Sequence, residues 1–308
     1  MIFNIVLNSS VNKAWIWLFA IVAFDLLILA IYLHKKKKKA REAAESDVLE
    51  TASSTPLQEK IDTTSPTKNA IYLFGSFKIF NAEEIEITNK FTPLLKELFL
   101  LIVLNSTNKN NGISSGTIVE KLWSDMPIKN GRNNLAVNIG KLKAALGIDF
   151  QDFLTSSSGV WKFEIPNGNS TIYCDYQTSL QHLNSPQKLS ISEIKELMTI
   201  VNKGGLLTDQ SYEWIDSYKA NISNKLIDAF QDFLNSNSDN LSPNLLIQIA
   251  DSITQLDMIN ETAMEIKCRA LVALGKHSIA NETFTKFVKE YTLLYNIPFP
   301  KDFKSIIG

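Results

Sequence analysis

The chain has 308 residues, 45% of them hydrophobic and 20% charged, and its formal net charge at neutral pH is −1. This composition is typical of a globular chain that can form a core, and the length predicts about two domains. A net charge near zero excludes attraction to nucleic acid by the chain as a whole, so any such attraction has to come from a local patch. The two cysteines, Cys174 and Cys268, are far apart and form no CxxC motif, which indicates small core residues rather than a disulfide or zinc site.

An apolar run of about twenty residues, Ala14 to Leu33, lies near the amino terminus and is long enough to cross a bilayer core as a helix. Lys35 to Lys39 and Arg41 follow it at once, whereas only Lys13 and the amino terminus precede it. This asymmetry predicts that residues 1–34 hold a single-pass anchor in the bacterial inner membrane, with the rest of the chain in the cytoplasm. A cleaved signal peptide is the rival interpretation, but there the basic residues precede the apolar run, and here they follow it.

The predicted anchor carries one acidic residue, Asp25, and leads into a basic, polar segment. A carboxyl group at the bilayer centre costs about 2.5–3.5 kcal/mol on insertion scales. Either Asp25 is protonated and hydrogen-bonded to a second helix, in a homodimer or a membrane sensor protein, or a strongly apolar helix simply tolerates it. Residues 35–69 combine the basic run, which favours contact with the lipid bilayer, with a Ser/Thr-rich stretch that predicts a flexible linker.

Residues 70–176 alternate between strand and helix patterns. Gly75 breaks an aromatic and β-branched strand pattern at 71–80, and a second strand pattern follows at 84–88. Apolar periodicity then predicts three helices, at Thr92–Asn105, Ser114–Trp123 and Asn130–Leu146.

A terminal hairpin is predicted after these helices. Strand patterns at 159–165 and 170–175 flank the Asn167-Gly168 step, which is a strong signal for a tight turn between antiparallel strands. Strands, three helices and this hairpin together predict a winged helix-turn-helix domain with the hairpin as its wing. Lys162 on the wing strand is a candidate for phosphate contact, although a solvated strand lysine fits equally well.

The helix predicted at Asn130–Leu146 has one apolar and one polar face. Four aliphatic residues recur at helical spacing and predict a buried stripe, at Leu135, Ile139, Leu142 and Leu146. The opposite face combines amides with cations, and no carboxylate occurs from Pro127 to Gly147. In a major groove, amides pair with adenine and cations with guanine or phosphate, but an ordinary solvated helix face shows the same pattern. The candidates for base reading are Arg132, Asn134 and Asn138, and those for phosphate contact are Lys129, Lys141, Lys143 and Lys162.

Residues 177–308 show helical periodicity almost throughout and predict an all-α domain. The helix pair within Asn260–Tyr295, broken at Gly275, has the alternating small and large apolar spacing of a tetratricopeptide-like unit. Because only one such unit matches, the spacing by itself indicates no more than a helical bundle.

The order of these motifs resembles the OmpR-type winged helix, and more specifically the antibiotic regulatory protein (SARP-type) activators. Ser114 and Leu122-Trp123 match the family's second helix, and Leu142-Lys143 with Leu146-Gly147 matches the end of its recognition helix. One departure is that this chain has lysines, at 141 and 143, where the family often carries arginines, which read guanine better. The resemblance also implies a following bacterial transcriptional activator domain made of tetratricopeptide-like helices. Its turns and helices are matched by Gly204, Leu206, Leu207, Trp214, Leu256-Asp257 and Ala273-Leu274-Gly275.

The sequence therefore predicts an α+β protein with a single transmembrane helix, a winged helix-turn-helix domain at 70–176 and an all-α tetratricopeptide-like domain at 177–308. The expected function is a membrane-anchored transcriptional regulator whose recognition helix, 130–146, enters the major groove of double-stranded DNA. Its helical domain would self-associate or contact RNA polymerase. The alternative is a membrane-tethered protein-interaction adaptor whose winged helix no longer binds DNA. No phosphate loop, metal motif or nucleophile motif is found, so the sequence predicts no enzyme, cofactor or metal site.

Overall fold

The computed structural model describes residues 68–106, 112–165, 172–237 and 240–308. These residues are mostly helical, with two small three-stranded sheets, and they lie within one compact unit. No helix in these ranges is both long enough and apolar enough to cross a bilayer. The sequence predicts an α+β fold with a membrane-spanning helix and an inner-membrane localisation. Both predictions are wrong for the residues that the structure describes, which are mostly helical and include no helix that fits a bilayer. The apolar run at 14–33, with Asp25, lies outside the described residues.

The described chain begins with a half in which the strands of both sheets alternate with helices, and it continues with a helical half. The strands are β1 (Ala70–Tyr72), β2 (Lys78–Phe80), β3 (Ile113–Ser114), β4 (Leu154–Ser157), β5 (Val160–Phe163) and β6 (Tyr173–Cys174). The helices are α1 (Pro93–Ser106), α2 (Ser115–Leu122), α3 (Ile128–Phe150), α4 (Asp175–Leu183), α5 (Ile191–Val201), α6 (Asp216–Asn237), α7 (Pro243–Leu256), α8 (Glu261–Ala273), α9 (His277–Tyr295) and α10 (Phe303–Ile307).

The longest described helices bury one face and expose the other, which is why none of them fits a bilayer. Helix α3 has 23 residues and α6 has 22, but both carry charged or amide side chains along an exposed face. Such an apolar stripe is suited to packing on a protein core, not to lipid on all sides. Helix α1 is the exception in pattern, because Leu98 to Leu104 are all buried, and it lies at the centre of the amino-terminal half.

The first sheet has the order β2-β1-β6, with β1 antiparallel to β2 and parallel to β6. Strand β6 therefore pairs with β1. The predicted wing would require β6 to pair with β5 instead, so this prediction is wrong. The pattern at 84–88 forms only a single bridge, between Phe80 and Glu86, and Ile85 is exposed. A residue with positive φ, Glu84 at 63°, interrupts extended backbone there.

The hairpin exists, but it lies one strand earlier than the sequence predicts. Strands β4 and β5 are antiparallel, and β5 also pairs with β3 to give the order β3-β5-β4. Ser158 and Gly159 form the tip, both with positive φ, at 51° and 77°. Two residues of this kind match the right-handed twist of the flanking strands. The predicted Asn-Gly turn at 166–169 lies outside the described residues.

Helices α2 and α3 pack closely against each other. The side chain of Ser114 caps α2 by accepting a hydrogen bond from the Thr117 N–H group at 3.0 Å. Gly131, buried on α3, approaches α2 so closely that a Cβ atom there would lie well within 3.0 Å of the Val119 side chain. All four residues of the predicted apolar stripe of α3 are buried, and Gly147 (φ 70°) interrupts the helix after the stripe.

Replacing Gly131 with alanine tests this close approach. We expect Gly131→Ala to lower the free energy of unfolding by about 1–2 kcal/mol, because crowding against Val119 outweighs the gain in helix propensity. Gly140 is the matched control, since it lies in the same helix and a methyl group added there would have nothing within 4 Å. Gly140→Ala should stabilise by up to about 1 kcal/mol in urea unfolding. Equal effects of the two substitutions would contradict the packing described here.

A buried carboxylate links the first sheet to the start of the helical half. Asp175, at the first position of α4, is fully buried. Its Oδ1 accepts a hydrogen bond from the Leu73 N–H group at 2.8 Å, and its Oδ2 accepts one from the Phe74 N–H group at 3.1 Å. The two donors follow β1, so one side chain satisfies two main-chain groups that no strand pairs.

A tight turn of the helical half presses against the same loop. The Gly75 N–H group donates to the Gly205 carbonyl at 2.8 Å, and the Thr208 N–H group donates back to the Gly75 carbonyl at 2.8 Å. A Cβ atom on Gly75 (φ 76°) would lie well within 3.0 Å of the Lys203 carbonyl oxygen. The backbone of the turn that follows α5 therefore passes directly over Gly75.

Contacts from α1 to α6 and to the short turn before α6 add a third link between the two halves. The Trp214 Nε1–H group donates to Glu97 Oε1 at 2.9 Å, and the Tyr218 hydroxyl donates to Asn105 Oδ1 at 3.0 Å. Beyond α6, helices α7, α9 and α10 each pack on α8. The last cluster of this core is formed by Met264, Cys268, Phe287, Phe299 and Ile306. The described amino-terminal and helical halves are thus joined by buried and specific contacts.

Candidate nucleic-acid interface

The exposed face of α3 is the surface on which the predicted DNA-binding residues lie. Its buried stripe packs on the core, and α2 covers one side near Gly131. The opposite side is solvent-exposed over the whole length of the helix. The exposed residues between Ile128 and Gly147 are Ile128, Lys129, Asn130, Arg132, Asn133, Ala136, Val137, Gly140, Lys141 and Ala144.

Helical geometry divides this face into a centre and two flanks. Successive residues of an α-helix are rotated by about 100°, so the direction opposite the buried stripe can be read from the sequence positions. Measured from all residues buried between Gly131 and Leu146, that direction passes between Asn133, Val137, Gly140 and Ala144, which form the centre of the face. The centre therefore carries one amide, and its other members are small or aliphatic.

The cations lie to either side of this centre. Arg132 and Lys143 are on one flank, Lys141 is on the other, and Lys129 lies in the first turn. None of the four is ion-paired with another residue that the structure describes. Because the stretch from 127 to 147 also lacks carboxylates, no acidic side chain of this stretch offsets the positive charge on either flank of the helix.

Two of the predicted base-reading residues, Asn134 and Asn138, are turned away from the centre and are only half-exposed. Asn138 Nδ2 donates to the Asn134 carbonyl at 2.8 Å, and Asn134 Nδ2 is 3.2 Å from the Met126 sulfur atom. Asn133 was not singled out by the sequence pattern, although it lies at the centre of the face. The angle of each position around the helix axis, measured from the middle of the buried stripe, is the sequence signal that could have identified it.

The hairpin tip is fixed against the start of α2. The Gly159 carbonyl accepts hydrogen bonds from the Ser115 N–H group at 2.8 Å and from the Ser115 hydroxyl at 3.0 Å. The indole N–H group of Trp161 donates to the same hydroxyl oxygen at 3.1 Å. The tip at 158–159 is thereby held at the amino-terminal end of the helix pair.

Lys162 is less available for phosphate than the sequence suggests. Its side chain is 23% exposed, and its Nζ lies 3.6 Å from Glu164 Oε1. It also lies in the body of the hairpin, whereas the tip consists of Ser158 and Gly159. Lys162 therefore has a carboxylate beside it, whereas the four cations of α3 have no ion-pair partner among the described residues.

No other cluster in the described ranges offers an obvious chemical site. Groups of three or more His, Cys, Asp or Glu side chains that could hold a metal ion are absent among these residues. Burial raises the pKa of the Cys174 thiol to about 12 and that of the Cys268 thiol to about 11. Both thiols are thus protonated at neutral pH and unsuited to nucleophilic chemistry.

Comparison of the sequence with protein-family models and with curated proteins gives no match. Among solved structures, the fold is similar to that of Mycobacterium tuberculosis EmbR, a regulator of the SARP family, which was solved in complex with a low-affinity phosphopeptide. The TM-score is 0.52 at 13% sequence identity, and the match covers 77% of this chain and 63% of EmbR. The chain thus shares its fold with EmbR over less than two thirds of EmbR's length.

Proposed function

We propose that this protein is a DNA-binding transcriptional regulator that places the exposed face of α3 in the major groove. The observation that carries this proposal is the helix face itself, with uncompensated cations on both flanks and no carboxylate between 127 and 147. An α-helix with its side chains is about 10–12 Å wide, which matches a major groove about 12 Å wide. Cations on both flanks then face the phosphates on both edges of the groove.

The remaining elements take supporting roles in this proposal. Residues 70–176 form the DNA-binding part, and the hairpin tip at Ser158–Gly159 lies beside the helix pair as the wing. Residues 177–308 form a tetratricopeptide-like part that pairs two copies of the chain or contacts RNA polymerase. The contacts around Gly75 and Asp175 would hold these parts together, through backbone–backbone hydrogen bonds at Gly75 and through a buried carboxylate at Asp175.

The salt dependence of DNA binding tests the proposal. Full-length protein should bind duplex DNA at low salt, with an affinity that falls steeply as salt rises, because lysine–phosphate contacts release counterions. In the double variant Lys141→Ala/Lys143→Ala the slope of log affinity against log salt should flatten by about two units. Lys286 and Lys289, two lysines exposed on α9, supply the matched control. Their replacement by alanine should leave the slope unchanged.

Two results would contradict the proposal. One is a folded protein that binds no duplex at low salt. The other is a slope that changes equally in the α3 variant and in the α9 control, since binding would then depend on overall charge and not on this face.

A protein-interaction adaptor is the second candidate function. It is favoured by the exposed face of α3, where Ala136, Gly140 and Ala144 leave room for another chain and Val137 is 57% exposed. The same features suit close approach to DNA bases, so the flanking cations decide in favour of DNA. The adaptor would show partner binding that is insensitive to salt and to loss of Lys141 and Lys143.

A further inference from the structure

We propose that Asn133 and Val137 read the bases, and that together they select A·T base pairs at the centre of the binding site. This inference rests on the proposed DNA-binding function and names the residues that give it sequence preference. It replaces Asn134 and Asn138, the candidates taken from the sequence, as the principal base-reading amides.

The first step concerns position. Asn133 and Val137 are one helical turn apart, on the same face, and both point away from the buried stripe. Four residues of helix advance by about 6 Å, and consecutive base pairs are spaced by about 3.4 Å. The two side chains therefore address base pairs one or two steps apart.

The second step concerns which amide is free. The side chain of Asn133 makes no hydrogen bond to any residue that the structure describes, whereas the Asn138 amide donates to the Asn134 carbonyl. Asn134 in turn directs its Nδ2 at the Met126 sulfur atom. An amide that reads adenine needs both its donor and its acceptor, and toward the described residues Asn133 keeps both free at the exposed centre of the face.

The third step concerns the preferred base. Asparagine pairs in a bidentate manner with the N6 and N7 edge of adenine, and an aliphatic side chain contacts the C5-methyl group of thymine. Val137 offers such a side chain, 57% exposed. The centre carries no cation for guanine O6 and N7, because Arg132, Lys141 and Lys143 lie on the flanks.

The fourth step concerns approach. A short amide reaches a base edge only when the helix backbone comes close to the groove floor. Ala136, Gly140 and Ala144 line the face around Asn133 and Val137, and nothing lies within 4 Å of the position that a Gly140 side chain would occupy. These small residues permit that approach on both sides of the two reading side chains.

Selection from a pool of randomised duplexes by full-length protein tests the inference. Wild-type protein should enrich an A·T pair at a fixed position, and Asn133→Ala should lose that preference by roughly 5- to 150-fold. Its affinity for non-specific duplex at low salt and its salt slope should stay unchanged, because Asn133 is uncharged.

Asn133→Arg should move the preference at the same position from adenine to guanine, since arginine pairs with O6 and N7. Val137→Ala should weaken selection of thymine at the neighbouring step.

Asn134→Ala is the matched control, because it removes an amide from the same helix on the flank. It should retain the wild-type preference. Loss of A·T selection in Asn134→Ala but not in Asn133→Ala would overturn the inference, as would enrichment of G·C at the site by wild-type protein. Both results leave DNA binding intact and so differ from failure of the proposed function, in which wild-type protein binds no duplex at any salt concentration.

Discussion

Gly75→Ala is expected to destabilise the protein by about 3–5 kcal/mol, one of the largest effects available to a single methyl group. Two costs add at this position. The backbone has φ of 76°, a region that disfavours every residue with a Cβ by about 1–2 kcal/mol. The new Cβ atom would also lie well within 3.0 Å of the Lys203 carbonyl oxygen, and a main-chain atom cannot move aside as a flexible side chain can.

Gly275→Ala separates the two costs. Gly275 has nearly the same φ, 74°, but nothing lies within 4 Å of the position that its Cβ atom would occupy. The control should therefore show only the conformational cost, about 1–2 kcal/mol, in the same urea unfolding experiment. If both variants lose the same stability, the close contact between Gly75 and the turn after α5 does not contribute, and the link between the two halves is weaker than described.

Asp175→Asn is expected to show the second large effect, as a change in the pH dependence of stability. Burial raises the pKa of Asp175 from 3.8 to about 6, and the hydrogen bonds from Leu73 and Phe74 and the charge of Lys203 offset this only in part. A carboxyl whose pKa is higher in the folded state binds its proton more tightly there. Its contribution to stability is fully present below about pH 4 and is lost as the pH rises through about 6.

The size of this effect follows from the pKa difference. A shift from 3.8 to about 6 corresponds to a contribution of about 3 kcal/mol, most of which is lost between pH 4 and pH 7. The asparagine variant has no titrating group at this position. The stability of the wild type minus that of Asp175→Asn should therefore decrease by about 2–3 kcal/mol over that range.

Urea unfolding of both proteins at pH 4, 5, 6 and 7 measures this difference. The variant should also be less stable at pH 4, because an amide nitrogen cannot accept the second main-chain hydrogen bond. A difference that stays constant, or that increases with pH, would show that the folded state does not raise the pKa of Asp175.

Local periodicity predicted the core of the helix pair well. The stripe from Leu135 to Leu146 is buried, and the glycine at 147 has the positive φ that interrupts a helix. These features depend on residues within a few turns of one another. Their physical cause, burial of one face of an amphipathic helix, is visible in any single sequence.

The sequence predicted the hairpin one strand too late because it holds two turn signals. Asn167-Gly168 is the stronger local signal for a hairpin, whereas Ser158-Gly159 needs a serine to adopt positive φ. What favours the second turn is tertiary: β5 is the central strand between β3 and β4, and the Gly159 carbonyl accepts two hydrogen bonds from Ser115. Such long-range pairing decides which strands form the hairpin, and periodicity does not report it.

The sequence alone did not predict the centre of the candidate site or the link between the two halves. Asn134 and Asn138 share the polar side of α3, and the structure adds that both are half-exposed with engaged amides, whereas Asn133 is exposed. Asp175 meets Leu73 across 102 residues of chain, and no local pattern connects them. The sequence identified a polar, cationic helix correctly, but the choice among its residues required the packed structure.

Protection of a single introduced thiol tests the central claim that the α3 face lies against DNA. The two native cysteines are buried, so Ala136→Cys on α3 and Ala220→Cys on α6 would each carry one exposed thiol. Their reaction rates with a maleimide are measured in full-length protein with and without duplex DNA at low salt. Addition of DNA should slow the reaction at position 136 in proportion to the bound fraction and leave position 220 unchanged. Equal rates at position 136 with and without bound DNA would contradict the account.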